Sequence, residues 1–106
     1  MDNRKALTQE NVIALVNQYK ERITPMFKDG VKVFLYGSYS KGYANPDSDI
    51  DVAVVVPRIE KSRFEVSSDL NYESWKVSSL IEPVLLVEGE ASPLYRDVMR
   101  TGRIIR

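Results

Sequence analysis

The chain has 106 residues, 43% of them hydrophobic, with 15 Lys and Arg against 15 Asp and Glu and with neither His nor Cys; these values predict one globular domain over 1–106 with a single core. The two missing residue types exclude a disulfide framework, a thiolate nucleophile, a cysteine zinc site, an imidazole base and a Ser-His-Asp triad. Acidic and basic side chains number seven each in residues 1–53 and eight each in 54–106, so the basic excess of a nucleic-acid binder is absent and nucleic acid is disfavoured as a partner.

The opening, MDNRKALTQE, has no apolar signal-peptide core, and no apolar run approaches the roughly 18 residues of a membrane span. The expectation is a cytoplasmic protein with no membrane partner. Residues 8–27 come next as an amphipathic helix, because Val12, Val16, Tyr19, Ile23 and Met26/Phe27 recur every three or four positions. Thr8 is its predicted N-cap, Pro25 tightens the last turn and Asp29-Gly30 closes it. Val31 to Tyr36 is a β-prone run that Gly37-Ser38 ends abruptly. A short helix is predicted over 38–43, with Ser38 near its start, and Asn45-Pro46-Asp47-Ser48 reads as a turn. Ile50 to Val56 is apolar at nearly every position after Asp51, the pattern of a strand covered on both faces, and Pro57 stops it. Residues 60–80 are helical in tendency and read as one or two helices near 62–73 and 74–79, with Phe64, Leu70, Trp75, Val77 and Leu80 as apolar positions. Val84 to Val87 is the next strand. Ser92-Pro93 opens a last helix running to about Thr101 and ending at Gly102, and Ile104-Ile105 supply a short edge strand. The order predicts a small α/β (α+β) domain.

Chemistry concentrates in Gly37-Ser38-Tyr39-Ser40-Lys41-Gly42 and in Ser48-Asp49-Ile50-Asp51, with ten residues between Ser38 and Asp49. A Gly directly after a strand permits a sharp turn and a close approach of backbone to ligand. Ser38 at a helix start brings free N–H groups and a hydroxyl, a cradle for phosphate, and Gly42 keeps the following segment near the loop. Asp49 and Asp51 share one face at a strand start, while Ile50 and Val52 face the core. Two adjacent carboxylates without a basic partner repel, which a divalent cation relieves while bridging to phosphate. With no His or Cys, a hard cation such as Mg²⁺ suits the donors available. A Gly-Ser turn or an Asp-x-Asp alone is ordinary turn chemistry; their conjunction at consecutive strand ends is what points to a site.

The segment GSYSKGYANPDSDIDVAVVV resembles the signature of the polymerase-β-type nucleotidyltransferase superfamily, and within it the minimal nucleotidyltransferase (MNT) group. The ending SPLYRDVMRTGRII is similar to that group's last helix and tail. The resemblance implies a mixed β-sheet flanked by helices. It implies that Gly37 and Ser38 hold a triphosphate and that Asp49 and Asp51 bind metal, two Mg²⁺ ions in all. It implies a third carboxylate on the next core strand, for which Glu82 is the candidate; the alternative for Glu82 is a solvated strand-end carboxylate. In-line attack on the α-phosphorus releases pyrophosphate, with Glu82, or Asp51 in its place, accepting the proton. Lys41 contacts the β/γ phosphates or is simply solvated, and Tyr39 or Tyr43 stacks on a base or lies at the surface. Tyr36 is expected in the core, Trp75 in the core or an interface, and Arg96, Arg100, Arg103 and Arg106 on a solvated face or against an acidic partner.

The resemblance further implies transfer of AMP from ATP to a Tyr of a small helical HEPN toxin, with this chain as its antitoxin. The chain looks too short to supply its own acceptor platform. Transfer to a small molecule such as an aminoglycoside, with a homo-oligomer completing the pocket, and a non-catalytic nucleotide- or partner-binding module are the alternatives.

Overall fold

The computed structural model describes residues 7–106. Helix α1 (Gln9–Ile23) starts where predicted, with the Thr8 hydroxyl accepting from the Asn11 N–H at 3.1 Å. It ends earlier than the apolar periodicity suggests. Pro25 has no N–H to continue the ladder, so the chain tightens into a single 3₁₀ turn over Thr24–Met26. Val12, Val16, Tyr19 and Ile23 are fully buried, as their spacing requires.

Four strands form one mixed sheet in the order β3-β2-β1-β4. Strands β1 (Lys32–Tyr36) and β2 (Ile50–Val56) pair antiparallel, and β3 (Ile81–Val87) runs parallel to β2. The short β4 (Arg103–Ile104) pairs antiparallel with β1. Helices cover both sides. Val33, Leu35, Ile50, Val52, Val54 and Val56 pack on one side with α1, the short α2 (Ser38–Lys41) and α3 (Arg63–Trp75). Phe34, Ala53, Val55 and Leu86 pack on the other with Val98 of α4 (Pro93–Thr101). This explains the unbroken apolar run of β2, which has no solvent face.

One open choice closes and two expectations change. The segment 60–80 holds one helix, α3, and no second one near 74–79. After Trp75 the N–H groups of Lys76, Val77 and Ser78 fold back onto the Glu73 and Ser74 carbonyls, and the Ser78 hydroxyl accepts from the Leu80 N–H at 3.1 Å. Such local bonds compete with helix continuation. Strand β3 begins at Ile81 rather than Val84, because Pro83 lies on an edge strand, where a missing donor costs little. The last strand is Arg103–Ile104, with Ile105 continuing it through its N–H to the Val33 carbonyl at 2.8 Å. Leu70 is core as expected, whereas Phe64 and Trp75 are exposed. The caps Ser62 and Ser92 accept from the Glu65 and Tyr95 N–H groups, each at 3.1 Å.

Candidate active site

The antiparallel turn between β1 and β2 brings the end of one strand beside the start of the next. Tyr36 lies opposite Asp51, and the parallel pairing puts Glu82 opposite Asp51 on its other side. Residues opposite one another in a sheet share a face. Tyr36, Asp51 and Glu82 therefore form a row across three strands, on the α4 side. Ile50 and Val52 point the other way into the core. The Ile50 N–H donates to the Leu80 carbonyl at 2.7 Å and pins the two strand starts together. Asp49 precedes β2 by one residue and is exposed, as is Glu82, whereas Asp51 is half-buried.

Gly37 is held to glycine by Asp51. A Cβ at position 37 would lie 2.1 Å from the Asp51 Oδ2, and Gly37 has φ +76°. The carboxylate thus fills the space a side chain would take, and the close approach at this turn is made by the protein's own acid. Ser38 is the first residue of α2, whose opening N–H groups have no intrahelical carbonyl to bond. The Gly42 and Tyr43 N–H groups both donate to the Ser38 carbonyl, at 2.9 and 3.1 Å, with Gly42 left-handed at φ +85°.

The loop is anchored through Tyr39, which corrects the expectation of a surface or base-stacking ring. Tyr39 is buried, its hydroxyl accepts from the Leu7 N–H at 3.2 Å, and its carbonyl accepts from the Gln9 side chain. Tyr43 is exposed. Lys41 reaches α4, with its Nζ 3.8 Å from the Asp97 Oδ2. Arg100 donates to the other Asp97 oxygen at 3.2 Å. Asp97 thereby holds two cations next to the Gly37–Gly42 loop.

Among the described residues no basic side chain pairs with Asp49, Asp51 or Glu82, and no three acidic groups are gathered as a metal-ligand set. Burial pushes the Asp51 carboxyl up from its ordinary value, and the charges of Glu82 and Asp49 push it further. The Tyr36 hydroxyl is raised too, by burial first and then by Asp51 and Glu82. Excess negative charge on hard oxygen donors fits Mg²⁺ better than a soft metal. Asp49 and Asp51 would hold it, with Glu82 beside them.

The structure brings together Gly37, Ser38, Asp49, Asp51 and Glu82, while Lys41 stands off on Asp97 and Gly42 closes α2. Two residues of this neighbourhood escaped the sequence. Tyr36 shares the carboxylate face, which only the β1–β2 register reveals, and it is half-buried rather than core. Asp97 meets Lys41 across 56 positions of chain, and no local pattern signals it. Two cavities, of about 330 and 440 Å³, lie elsewhere. The first is lined by Phe27, Gly30 and Pro57, at the opposite end of β1 and β2. The Asp49 and Glu82 carboxylates lie at the surface, with Asp51 half-buried between them and the Gly37 turn.

The sequence profile of the nucleotidyltransferase domain matches residues 16–102. This chain belongs to that family. A proposed protein adenylyltransferase of Methanocaldococcus jannaschii is 29% identical to this nucleotidyltransferase domain over 77 residues, covering 70% of this chain and 78% of the relative. Among solved structures, a proposed nucleotidyltransferase from Sulfolobus solfataricus superposes with TM-score 0.67 at 22% identity, covering 91% of this chain and 80% of the other. A chain of the toxin–antitoxin complex MntA-HpeT superposes with TM-score 0.53 at 21% identity, covering 94% and 73%. That complex carries Asp-to-Glu substitutions at two positions separated by one residue. These two likenesses establish the fold. Among the described residues no helix is long and apolar enough to cross a membrane.

Proposed function

We propose that this nucleotidyltransferase moves AMP from ATP onto a hydroxyl of a protein partner, a Tyr of a HEPN-type helical toxin, and acts as its antitoxin. The observation that carries the reading is the row of half-buried Asp51 and exposed Glu82 beside the Gly37 turn. The relative named for protein adenylylation and the fold shared with a toxin–antitoxin chain support a protein acceptor. The substituted pair in that complex has the spacing of Asp49 and Asp51.

In this reading the Ser38 hydroxyl and the first N–H groups of α2 bind the triphosphate. Lys41 and Arg100, tethered by Asp97, face its outer phosphates. Mg²⁺ bound to Asp49 and Asp51 supplies charge neutralisation at the reacting phosphate. The acceptor hydroxyl attacks the α-phosphorus, the bond to the bridging oxygen breaks, and pyrophosphate leaves. Glu82 takes the acceptor's proton, a carboxylate serving where the chain has no imidazole.

The test combines the chain, ATP, Mg²⁺ and the product of the neighbouring gene, followed by intact-mass spectrometry. One or more AMP additions on a tyrosine of the neighbour, absent with Asp49→Asn/Asp51→Asn, is the expected result. An unmodified neighbour beside an active control transferase overturns the proposal.

A further inference from the structure

Helix α3 turns Val66, Leu70 and Ser74 inward and leaves an aromatic stripe outside. Phe64, Tyr72 and Trp75 are 80%, 63% and 74% exposed. With Ser68 and Asn71, both exposed, they occupy an arc of about 100° on the helix. Among the described residues Lys76 lies over the Tyr72 ring, its Nζ 4.2 Å from the centroid and 3.5 Å from the Glu73 Oε2, while Phe64 and Trp75 stay largely exposed. A protein surface seldom leaves three large rings in one stripe without a use for them.

We propose that two copies of this chain pair through this face, α3 against α3, antiparallel about a two-fold axis between Ser68 and Asn71. Three observations select a second copy as the occupant. The first is shape. The stripe has rings at both ends and small residues, Ser68 and Asn71, at its centre, so the helices approach closely where the axis passes. Phe64 and Trp75 are eleven residues apart, about 16 Å along the helix, and the antiparallel arrangement lays Phe64 along the partner's Trp75. The second is charge. Glu65 in the first turn and Lys76 just past the last turn lie on the same flank of the stripe. Glu65 has no basic partner among the described residues. An antiparallel two-fold keeps the same flank of both helices on one side of the seam and sets Glu65 against the partner's Lys76, twice by symmetry, whereas a parallel two-fold puts the two charged flanks on opposite sides of the seam. The third is area. Withdrawing six such rings from water removes on the order of 1,000 Å², about what a specific interface requires. This pairing is independent of nucleotide chemistry, since α3 packs its inner face on the sheet and carries none of the site residues.

Trp75 is the chain's only tryptophan and reports on the interface directly. Sedimentation equilibrium of the purified chain is expected to give twice the chain mass. Trp75 emission should be blue-shifted at high concentration and move to the red on dilution through the same range. Glu65→Lys and Lys76→Glu, each alone, should raise the dimer dissociation constant about tenfold or more. The double variant should restore it, and circular dichroism checks that each variant is folded. A chain that stays at monomer mass with concentration-independent emission at about 200 μM, far above the Kd of a specific interface, overturns the proposal. So does a double swap that fails to restore association, or α3 variants that lose only the binding of a different protein.

Discussion

Gly37 and Asp51 constrain each other atom by atom, and the constraint is testable without substrate. Gly37→Ala places a methyl on the Asp51 carboxylate at a backbone conformation that L residues rarely adopt. A loss of about 1–3 kcal/mol in denaturant melts is expected, together with lost transfer. Asp51 carries a second cost. Its folded carboxyl is raised above the ordinary 3.8 by burial and by its acidic neighbours. Protonation therefore favours the folded state, and stability falls as pH rises from below 3.8 through the raised value. At neutral pH the ionised Asp51 opposes folding. Asp51→Asn should then melt at higher temperature than the native chain at pH 7, with the advantage gone in acid below the ordinary carboxylate value. Transfer should fall at least about 10²-fold. The same repulsion predicts that Mg²⁺ raises the melting temperature of the native chain at pH 7 and leaves that of Asp51→Asn nearly unmoved. An equal Mg²⁺ response in both would remove Asp51 from the metal site.

At the scale of elements, α1 and α3 are joined by one buried polar contact, the Tyr19 hydroxyl donating to the Leu70 carbonyl at 3.0 Å. Tyr19→Phe removes that bond, leaving the carbonyl only its helical partner, and should cost about 1 kcal/mol. Burial, and then the charge of Glu73, push the Tyr19 hydroxyl far above its ordinary 10.0. Because its folded value is raised, its contribution is whole below about pH 10 and is lost as pH climbs beyond it. Urea melts from about pH 9 to about pH 11 should show a declining alkaline limb that Tyr19→Phe flattens. Two helix starts were legible residue by residue, at Thr8 and Ser92, and the structure adds Ser62; each bonds the N–H three positions on. Replacing any one by Ala should cost about 1 kcal/mol. Helix ends were less legible. Proline and serine act there through bonds to turns whose direction is set by the next segment of chain, as at Pro25 and Ser78.

At the scale of the molecule, both sheet faces are filled and the reactive row sits where β1 ends and β2 and β3 begin. That placement leaves Asp49 and Glu82 exposed, away from the hollow beside Phe27, Gly30 and Pro57. Spacing along the chain predicted Gly37, Ser38, Asp49 and Asp51 as one site because consecutive strand ends lie together in any antiparallel pair. Glu82 needed the parallel β2–β3 register, formed across the α3 crossover, to be placed opposite Asp51.

Local chemistry by itself determined the order of elements, the helix caps Thr8 and Ser92, the shortness of α2 and the alternation that separates Asp51 from Ile50 and Val52. Each depends on neighbours within about four residues, where hydrogen-bond geometry and side-chain period act. Tertiary structure decided what those elements meet. It buried Tyr39 under the start of α1, exposed Trp75 and Phe64 on the outside of α3, and turned Lys41 toward Asp97. It also decided that the glycine beside the motif makes room for an aspartate of the same motif. Contacts of this kind arise from register and packing between distant segments, and an isolated stretch of sequence carries neither.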